Sequence, residues 1–248
     1  MDSEQPLNLR CLALTGTFET GCLPPACFGA LAGDFDGQGL SYSDLQWNLG
    51  QGTLQPLLLE MNEKHRDLMT TIFGTSHGPL STMLELARPA QLAWARSLQQ
   101  SPGHKVAGAW TTAFRTLGAT LEFQNIATHH AAAYYGGALD LCRKLGLRSQ
   151  RAAALLFDIS VQNGGIPMWV MATLQRDFSA MPHGDVDVVE VARMHCVADR
   201  IADSAAPRWR EDVRTRKMAI AGGIGIVHGL HYDLEAQFGI TLAPWQAA

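Results

Sequence analysis

Charge is scarce in this chain: Asp, Glu, Lys and Arg make up 17% of its 248 residues, while 47% are hydrophobic. The signs nearly balance, 19 basic against 23 acidic side chains for a formal net charge of −4, so no basic stripe exists to follow a phosphate backbone. Nucleic acid is therefore not an expected partner. No uncharged run is long enough to span a bilayer, and membrane insertion is not expected. The opening Met1-Asp2-Ser3-Glu4-Gln5-Pro6 lacks the basic region and apolar stretch of a signal peptide, which makes synthesis in the cytoplasm the expectation. Metal-binding patterns are missing too. Cys11, Cys22, Cys27, Cys142 and Cys196 have no ligand spacing, and Cys22 and Cys27, flanking Leu23-Pro24-Pro25-Ala26, read either as a small-loop disulfide or as free thiols. His129 and His130 are adjacent on a helical stretch and point about 100° apart. His228 and His231 lack the glutamate of a zinc-protease helix, and no Gly-Lys-Ser/Thr follows the glycines after Arg214, Arg216 and Lys217. No metal or cofactor is called for.

What the chain does have is helical periodicity. Helices are expected at 7–19, 54–67, 81–99 with Ser81 as N-cap, 105–145 broken near Gly118 or Gly136-Gly137, 149–162, 168–178, 186–204 and 207–221. The glycine-rich span Gly33–Gly52 reads as a hairpin or irregular β segment. The expected fold is mainly α (α+β): one multi-helix domain over 1–248, with a small β-hairpin within 7–52 and a helical remainder over 53–248. A chain of this length can bury a sizeable core.

Two carboxylates stand out. Glu19 closes a short apolar segment, and Asp36 follows inside Gly33-Asp34-Phe35-Asp36-Gly37-Gln38-Gly39-Leu40-Ser41. A carboxyl pair separated by a loop suits glycosidic-bond cleavage, in which one group protonates the leaving oxygen and the other manages the water opposite. Leu14, Phe18 and Leu23 would desolvate Glu19 and favour its protonated form, whereas glycine N–H groups around Asp36 would keep it ionised. Each residue alone also reads as structure, a helix-end carboxylate and an Asp-Gly turn. Asp34 is the competing carboxylate, on the same side as Asp36 if the segment is extended. Ser41, Tyr42, Gln46 and Asn48 offer hydroxyl, amide and aromatic groups to a sugar, while Trp47, opposite in strand parity to Gln46 and Asn48, reads as core. Gln162 and Asn163, ahead of Gly164-Gly165, either line a cleft or cap a helix.

Thr17-Phe18-Glu19-Thr20-Gly21, Asp36-Gly37-Gln38-Gly39-Leu40-Ser41 and Leu45-Gln46-Trp47-Asn48 resemble the lysozyme-like superfamily, and their spacing is most similar to the family 46 chitosanases. In that family a helix-terminal Glu is the general acid and an Asp in an Asp-Gly-Arg-Gly-Tyr-Thr type hairpin assists the attacking water. The resemblance implies Glu19 as acid and Asp36 as that aspartate. Gln38 stands where the family carries Arg, and Leu40 where it carries Tyr. The Thr15–Gly52 block also resembles cell-wall-degrading domains of bacterial effectors and phage proteins, which implies peptidoglycan as the substrate.

Three function classes follow: a peptidoglycan muramidase, a chitosanase acting on glucosamine polymers, and a wall-binding module that has lost activity. The departures at Gln38 and Leu40, with the missing signal peptide, tip the reading towards peptidoglycan glycan strands. Hydrolysis and lytic transglycosylation, in which the muramyl 6-hydroxyl replaces water, both stay open. Such an enzyme would act in the periplasm or wall of a target bacterium after type VI-like injection or other delivery, and a periplasmic immunity protein would then be an expected partner.

Overall fold

The computed structural model describes residues 5–100 and 103–245. The chain starts with helix α1 (Leu7–Thr20), a 3-10 turn (Ala26–Gly29) and three two-residue strands, β1 (Leu31–Ala32), β2 (Ser41–Tyr42) and β3 (Trp47–Asn48). Next come α2 (Leu54–Lys64), α3 (Arg66–Phe73), α4 (His77–Leu84), α5 (Arg88–Ser97), the strand pair β4 (Gln99–Gln100) and β5 (Lys105–Val106), α6 (Gly108–Gly118) and α7 (Leu121–Leu145). The rest is α8 (Gln150–Gln162), α9 (Met168–Ser179), α10 (Val186–Ser204), α11 (Arg210–Gly222), the hairpin β6 (Ile224–Val227) and β7 (Leu230–Asp233), and α12 (Leu234–Phe238). Residues 19–131 form one unit, and residues 1–18 with 132–248 form the other. The mainly helical architecture with small strands is the one the periodicity predicts.

Several boundaries differ from expectation, each for a local reason. The stretch 54–67 divides at His65, whose backbone leaves the helical region (φ −136°, ψ 42°). The stretch 81–99 is two helices, because Pro89 sits in the first turn of α5 behind an extended Ala87. Ser81 accordingly lies inside α4 and caps nothing. Of the two proposed breaks in 105–145 only the one at Gly118 occurs; Gly136 and Gly137 are carried within α7. The β4–β5 and β6–β7 pairs were not anticipated, since two-residue strands and a Gly-Ile-Gly-Ile run leave little alternation to read.

In the 19–131 unit the three strands form an antiparallel sheet in the order β1-β2-β3, with Leu31 opposite Tyr42, Ser41 opposite Asn48 and Tyr42 opposite Trp47. Tyr42 and Trp47 share the inner face and are 0% and 5% exposed. The Tyr42 ring packs against Phe114 and Phe123, and its hydroxyl donates to the Phe114 carbonyl at 2.7 Å. This contact nails the small sheet to α6 and α7.

The other unit is built around α8, in which every residue from Ala152 to Ile159 is buried. A helix apolar on all sides belongs in a core, and this one enters it with its N-terminus capped twice. Ser149 Oγ accepts the Ala152 N–H at 3.0 Å, and the buried Glu190 of α10 accepts the N–H groups of Arg148 and Ser149 at 2.9 and 2.8 Å. One charge interrupts the apolar run. Asp158 is fully buried and receives Arg216 Nη2 at 2.6 Å, Arg216 Nε at 3.0 Å, Thr15 Oγ1 at 3.0 Å and the Lys217 ammonium. Burial pushes the Asp158 carboxyl up, but the charges of Arg216 and Lys217 and their hydrogen bonds outweigh it and hold it at about 2. The Arg216 guanidinium also stacks 5.0 Å from the centre of the Phe18 ring, one residue before Glu19.

Removing one member of such a network leaves an uncompensated buried charge. Asp158→Ala should therefore cost about 3–5 kcal/mol in urea unfolding. Because the Asp158 carboxyl is depressed, its contribution is present above about pH 4 and is lost as pH falls towards 2. A variant within about 1 kcal/mol of wild type would show that the network contributes little.

Candidate functional site

The glycine-rich loop between β1 and β2 has no ladder of its own, so side chains take the place of strand hydrogen bonds. Asp34 Oδ1 accepts the Gly39 N–H at 2.7 Å, and Asp34 Oδ2 accepts Arg96 Nε at 2.5 Å. Gln99 completes the clamp: its carbonyl accepts the Asp34 N–H at 2.9 Å, and its amide donates to the Gly39 carbonyl at 2.9 Å. Gly39 lies at φ +83°, and a Cβ there would stand 2.8 Å from Leu92 Cδ2, so both backbone conformation and packing require glycine. Arg96 and Gly39 together hold the Asp34 carboxyl below the usual range despite its burial.

Asp34 and Asp36 do not share a side. The segment is bent, not extended, so strand parity does not apply; Asp34 turns inward with both oxygens engaged, whereas Asp36 is exposed. Asp36 Oδ1 accepts the Gln38 N–H at 3.1 Å, an Asx turn that orients the carboxylate. The glycine N–H groups expected around Asp36 serve Asp34 instead, through Gly39. Glu19 is the penultimate residue of α1, half-buried, with its Oε1 shielded from solvent. Phe18 beside it is buried, but Leu23, expected to cover Glu19, is itself 57% exposed.

The sugar-contact candidates divide in the same way. Tyr42 is core and offers nothing to a ligand, because its ring and hydroxyl are spent on α6 and α7. Asn48, 8% exposed, is spent on the following turn: its Oδ1 accepts the Gln51 N–H at 2.8 Å and its amide donates to Gln51 Oε1 at 3.1 Å. Gln46 lies in a left-handed turn (φ +51°) and not in a strand, so parity with Asn48 does not hold; its amide donates to the Ser43 carbonyl at 2.9 Å. Ser41 is half-buried on the β2 face opposite to Tyr42. Leu40, standing at the family's Tyr position, is 1% exposed, so this departure is a core change and says nothing about substrate.

In the other unit, Gln162 Oε1 accepts Lys217 Nζ at 2.5 Å, which ties it to the Asp158 network. Asn163 is the C-cap of α8, followed by Gly164 and Gly165 at positive φ, and the Gly165 N–H returns to the Ile159 carbonyl at 3.2 Å. The Asn163 Oδ1 is enclosed and accepts no hydrogen bond among the described residues. Cys22 and Cys27, read as a pair open to a disulfide, are free thiols, one exposed and one buried.

Asp44 was missed by sequence reasoning. It is fully buried in the β2–β3 turn, where Ser43 takes φ +73°, and its Oδ1 accepts Ser43 Oγ at 3.0 Å, the Leu45 N–H at 2.9 Å and Trp47 Nε1 at 3.2 Å. Its Oδ2 has no hydrogen-bond partner among the described residues. The only sequence signal is a Ser-Asp turn, which ordinarily faces solvent. Burial raises the Asp44 carboxyl from 3.8 to about 6, against the hydrogen bonds that lower it, those from Trp47 and Ser43 foremost. A raised folded-state value means that Asp44 favours folding below its unfolded value and loses that advantage as pH rises through about 6, by about 3 kcal/mol at most. Asp44→Asn keeps the acceptor oxygen and removes the charge. Its stability relative to wild type should grow as pH is raised from 4 to 7.5 in urea titrations; a difference independent of pH would contradict the assignment.

No protein-family model and no curated protein matches the sequence. Solved structures share the fold, and three chitosanase structures are among them. A native chitosanase from Bacillus subtilis MY002 superposes at a TM-score of 0.56 with 17% identity, over 89% of this chain and 87% of that one. A chitosanase complex gives 0.59 with 16% identity, over 90% and 94%. A mutant of the Bacillus subtilis MY002 chitosanase complexed with 6 GlcN gives 0.61 with 15% identity, over 93% and 97%. The chain has the lysozyme-like fold of these chitosanases.

Proposed function

We propose that the protein is a glycoside hydrolase that cuts the β-1,4 glycan of peptidoglycan, with Glu19 as general acid and Asp36 as general base. The observation that carries this reading is the contrast between the two carboxylates. Glu19 is half-buried at a helix end, and Asp36 is exposed on a loop clamped by Asp34, in a fold shared with chitosanases. In the forward reaction Glu19 donates its proton to the leaving glycosidic oxygen as the C–O bond breaks. Asp36 takes a proton from a water that attacks the anomeric carbon from the opposite face, an arrangement that needs about 6.5–9.5 Å between the carboxyls and inverts the anomeric centre. Asp34 has no part in proton transfer on this reading. Its work is to hold the loop, and Ser41 and Gln46 remain as the sugar-facing candidates of the hairpin.

The choice of polymer rests on charge. Segment 33–52 carries three carboxylates, of which Asp34 is paired with Arg96, Asp44 is buried and Asp36 alone is exposed. A strand of N-acetylated sugars asks for no more, whereas a polyglucosamine cation gains from several acidic groups along its path. Chitosan is the second reading, favoured by fold neighbours that are chitosanases, one of them complexed with 6 GlcN.

Mass spectrometry of products from purified sacculi and, in parallel, from chitosan separates the readings. Sacculi should release muropeptides with reducing ends, and a folded Glu19→Gln variant should be slower by about 10²–10⁴. Cleavage of chitosan alone would move the assignment to the second reading. Anhydro-muramyl ends would mean transglycosylation. No release from either polymer, or wild-type release by Glu19→Gln, would reject the catalytic assignment.

A further inference from the structure

A groove of about 470 Å³ runs between the C-terminal end of α3 with its following turn and the N-terminal end of α6, within the 19–131 unit. We propose that it is a second carbohydrate site that binds an uncharged β-1,4-linked N-acetylhexosamine segment, apart from the catalytic carboxylates. The inference rests on the reading of the substrate as an N-acetylated glycan and adds a holding site for the same polymer.

Three features point to that occupant. The lining contains no charged side chain, so a glucosamine cation would find no counter-charge there. One wall is Trp110, half-buried and fixed edge-on to Trp94 (centroids 5.1 Å apart, 87°), with Phe73 at 6.0 Å and Phe114 at 6.3 Å behind it. An aromatic ring held this way presents an apolar surface to sugar C–H groups without paying ordering entropy on binding. The remaining walls are hydroxyl-rich. Thr75, Ser76 and Thr112 make no side-chain hydrogen bond among the described residues, and a hydroxyl both donates and accepts, as sugar hydroxyl and acetamido groups require.

Backbone donors add to this. No side chain caps α6, and the first N–H it satisfies is that of Thr111, donated to the Ala107 carbonyl at 3.0 Å; the N–H groups of Gly108, Ala109 and Trp110 precede it at the groove. A Cβ placed on Gly74 or Gly108 would meet nothing within 4 Å, so a ligand can approach the backbone closely on both sides. An apolar wall with a few convergent polar groups is the usual composition of a small-molecule site.

The test uses the full-length chain carrying Glu19→Gln, labelled with nitrogen-15 and titrated with tetra-N-acetylchitotetraose. Amide signals of Gly74 and Gly108 and the indole signal of Trp110 should shift at millimolar sugar, and tetraglucosamine should leave them in place. Thr112→Arg, at an exposed position of α6, should weaken the shifts by about ten-fold or more, and Thr75→Arg should do the same from the opposite wall. Absence of groove shifts, shifts undiminished in both arginine variants, or equal shifts with tetraglucosamine would overturn the proposal. Because binding is read without turnover, failure of the groove and failure of the hydrolase assignment are separate results.

Discussion

The Asp34 carboxylate is the constraint on which the hairpin region depends. Its two oxygens tie Gly39 on the far side of the loop to Arg96 on α5, and Gln99 doubles the tie through the backbone of Asp34 and Gly39. Two-residue strands bring very little ladder energy, and a loop with three glycines between positions 33 and 39 would otherwise have a large conformational entropy to lose. A charge-assisted pair between the buried Asp34 carboxylate and the half-exposed Arg96 fastens this loop to helix α5. Asp36 is thereby held in a defined place two residues further on, with its carboxylate open to solvent.

Three aspartates within eleven residues thus have three different fates. Asp34 is paired and inward, Asp36 solvated in an Asx turn, and Asp44 buried beneath the next turn with only hydrogen bonds to support it. The difference is environmental, since the side chains are chemically the same, and it decides which of them can exchange protons with a ligand. Asp44 has a destabilising element above pH 6, and the turn around it includes the left-handed Ser43 and Gln46. Left-handed residues of this kind persist only where the surrounding packing holds them, here the buried Tyr42, Asp44 and Trp47 of the same hairpin.

Helix α1, the position of Glu19 at its end, a break near Gly118 as one of two alternatives and the extent of α8 could all be read from periodicity and local signals. Those features depend on neighbours in sequence. The division of labour among the carboxylates could not, because Arg96 and Gln99 lie more than sixty positions from Asp34 and no local pattern couples them. Tyr42 and Asn48 were read as sugar contacts for the same reason: an aromatic hydroxyl and an amide look alike whether they meet a ligand or a backbone carbonyl. The partner decides, and for Tyr42 the partner is Phe114, seventy-two positions away. Leu40 was read as a substrate-related departure, yet it is core.

The central claim is that Glu19 and Asp36 act from opposite sides of a glycosidic bond with water between Asp36 and the anomeric carbon. The stereochemistry of the first product formed reports this directly. Proton NMR of fresh digests of a soluble β-1,4 N-acetylated glycan strand, recorded before mutarotation, should show the α-anomer appearing first. A β-anomer appearing first would mean retention, carboxyls about 5–5.5 Å apart and a covalent or neighbouring-group route, and would contradict the account.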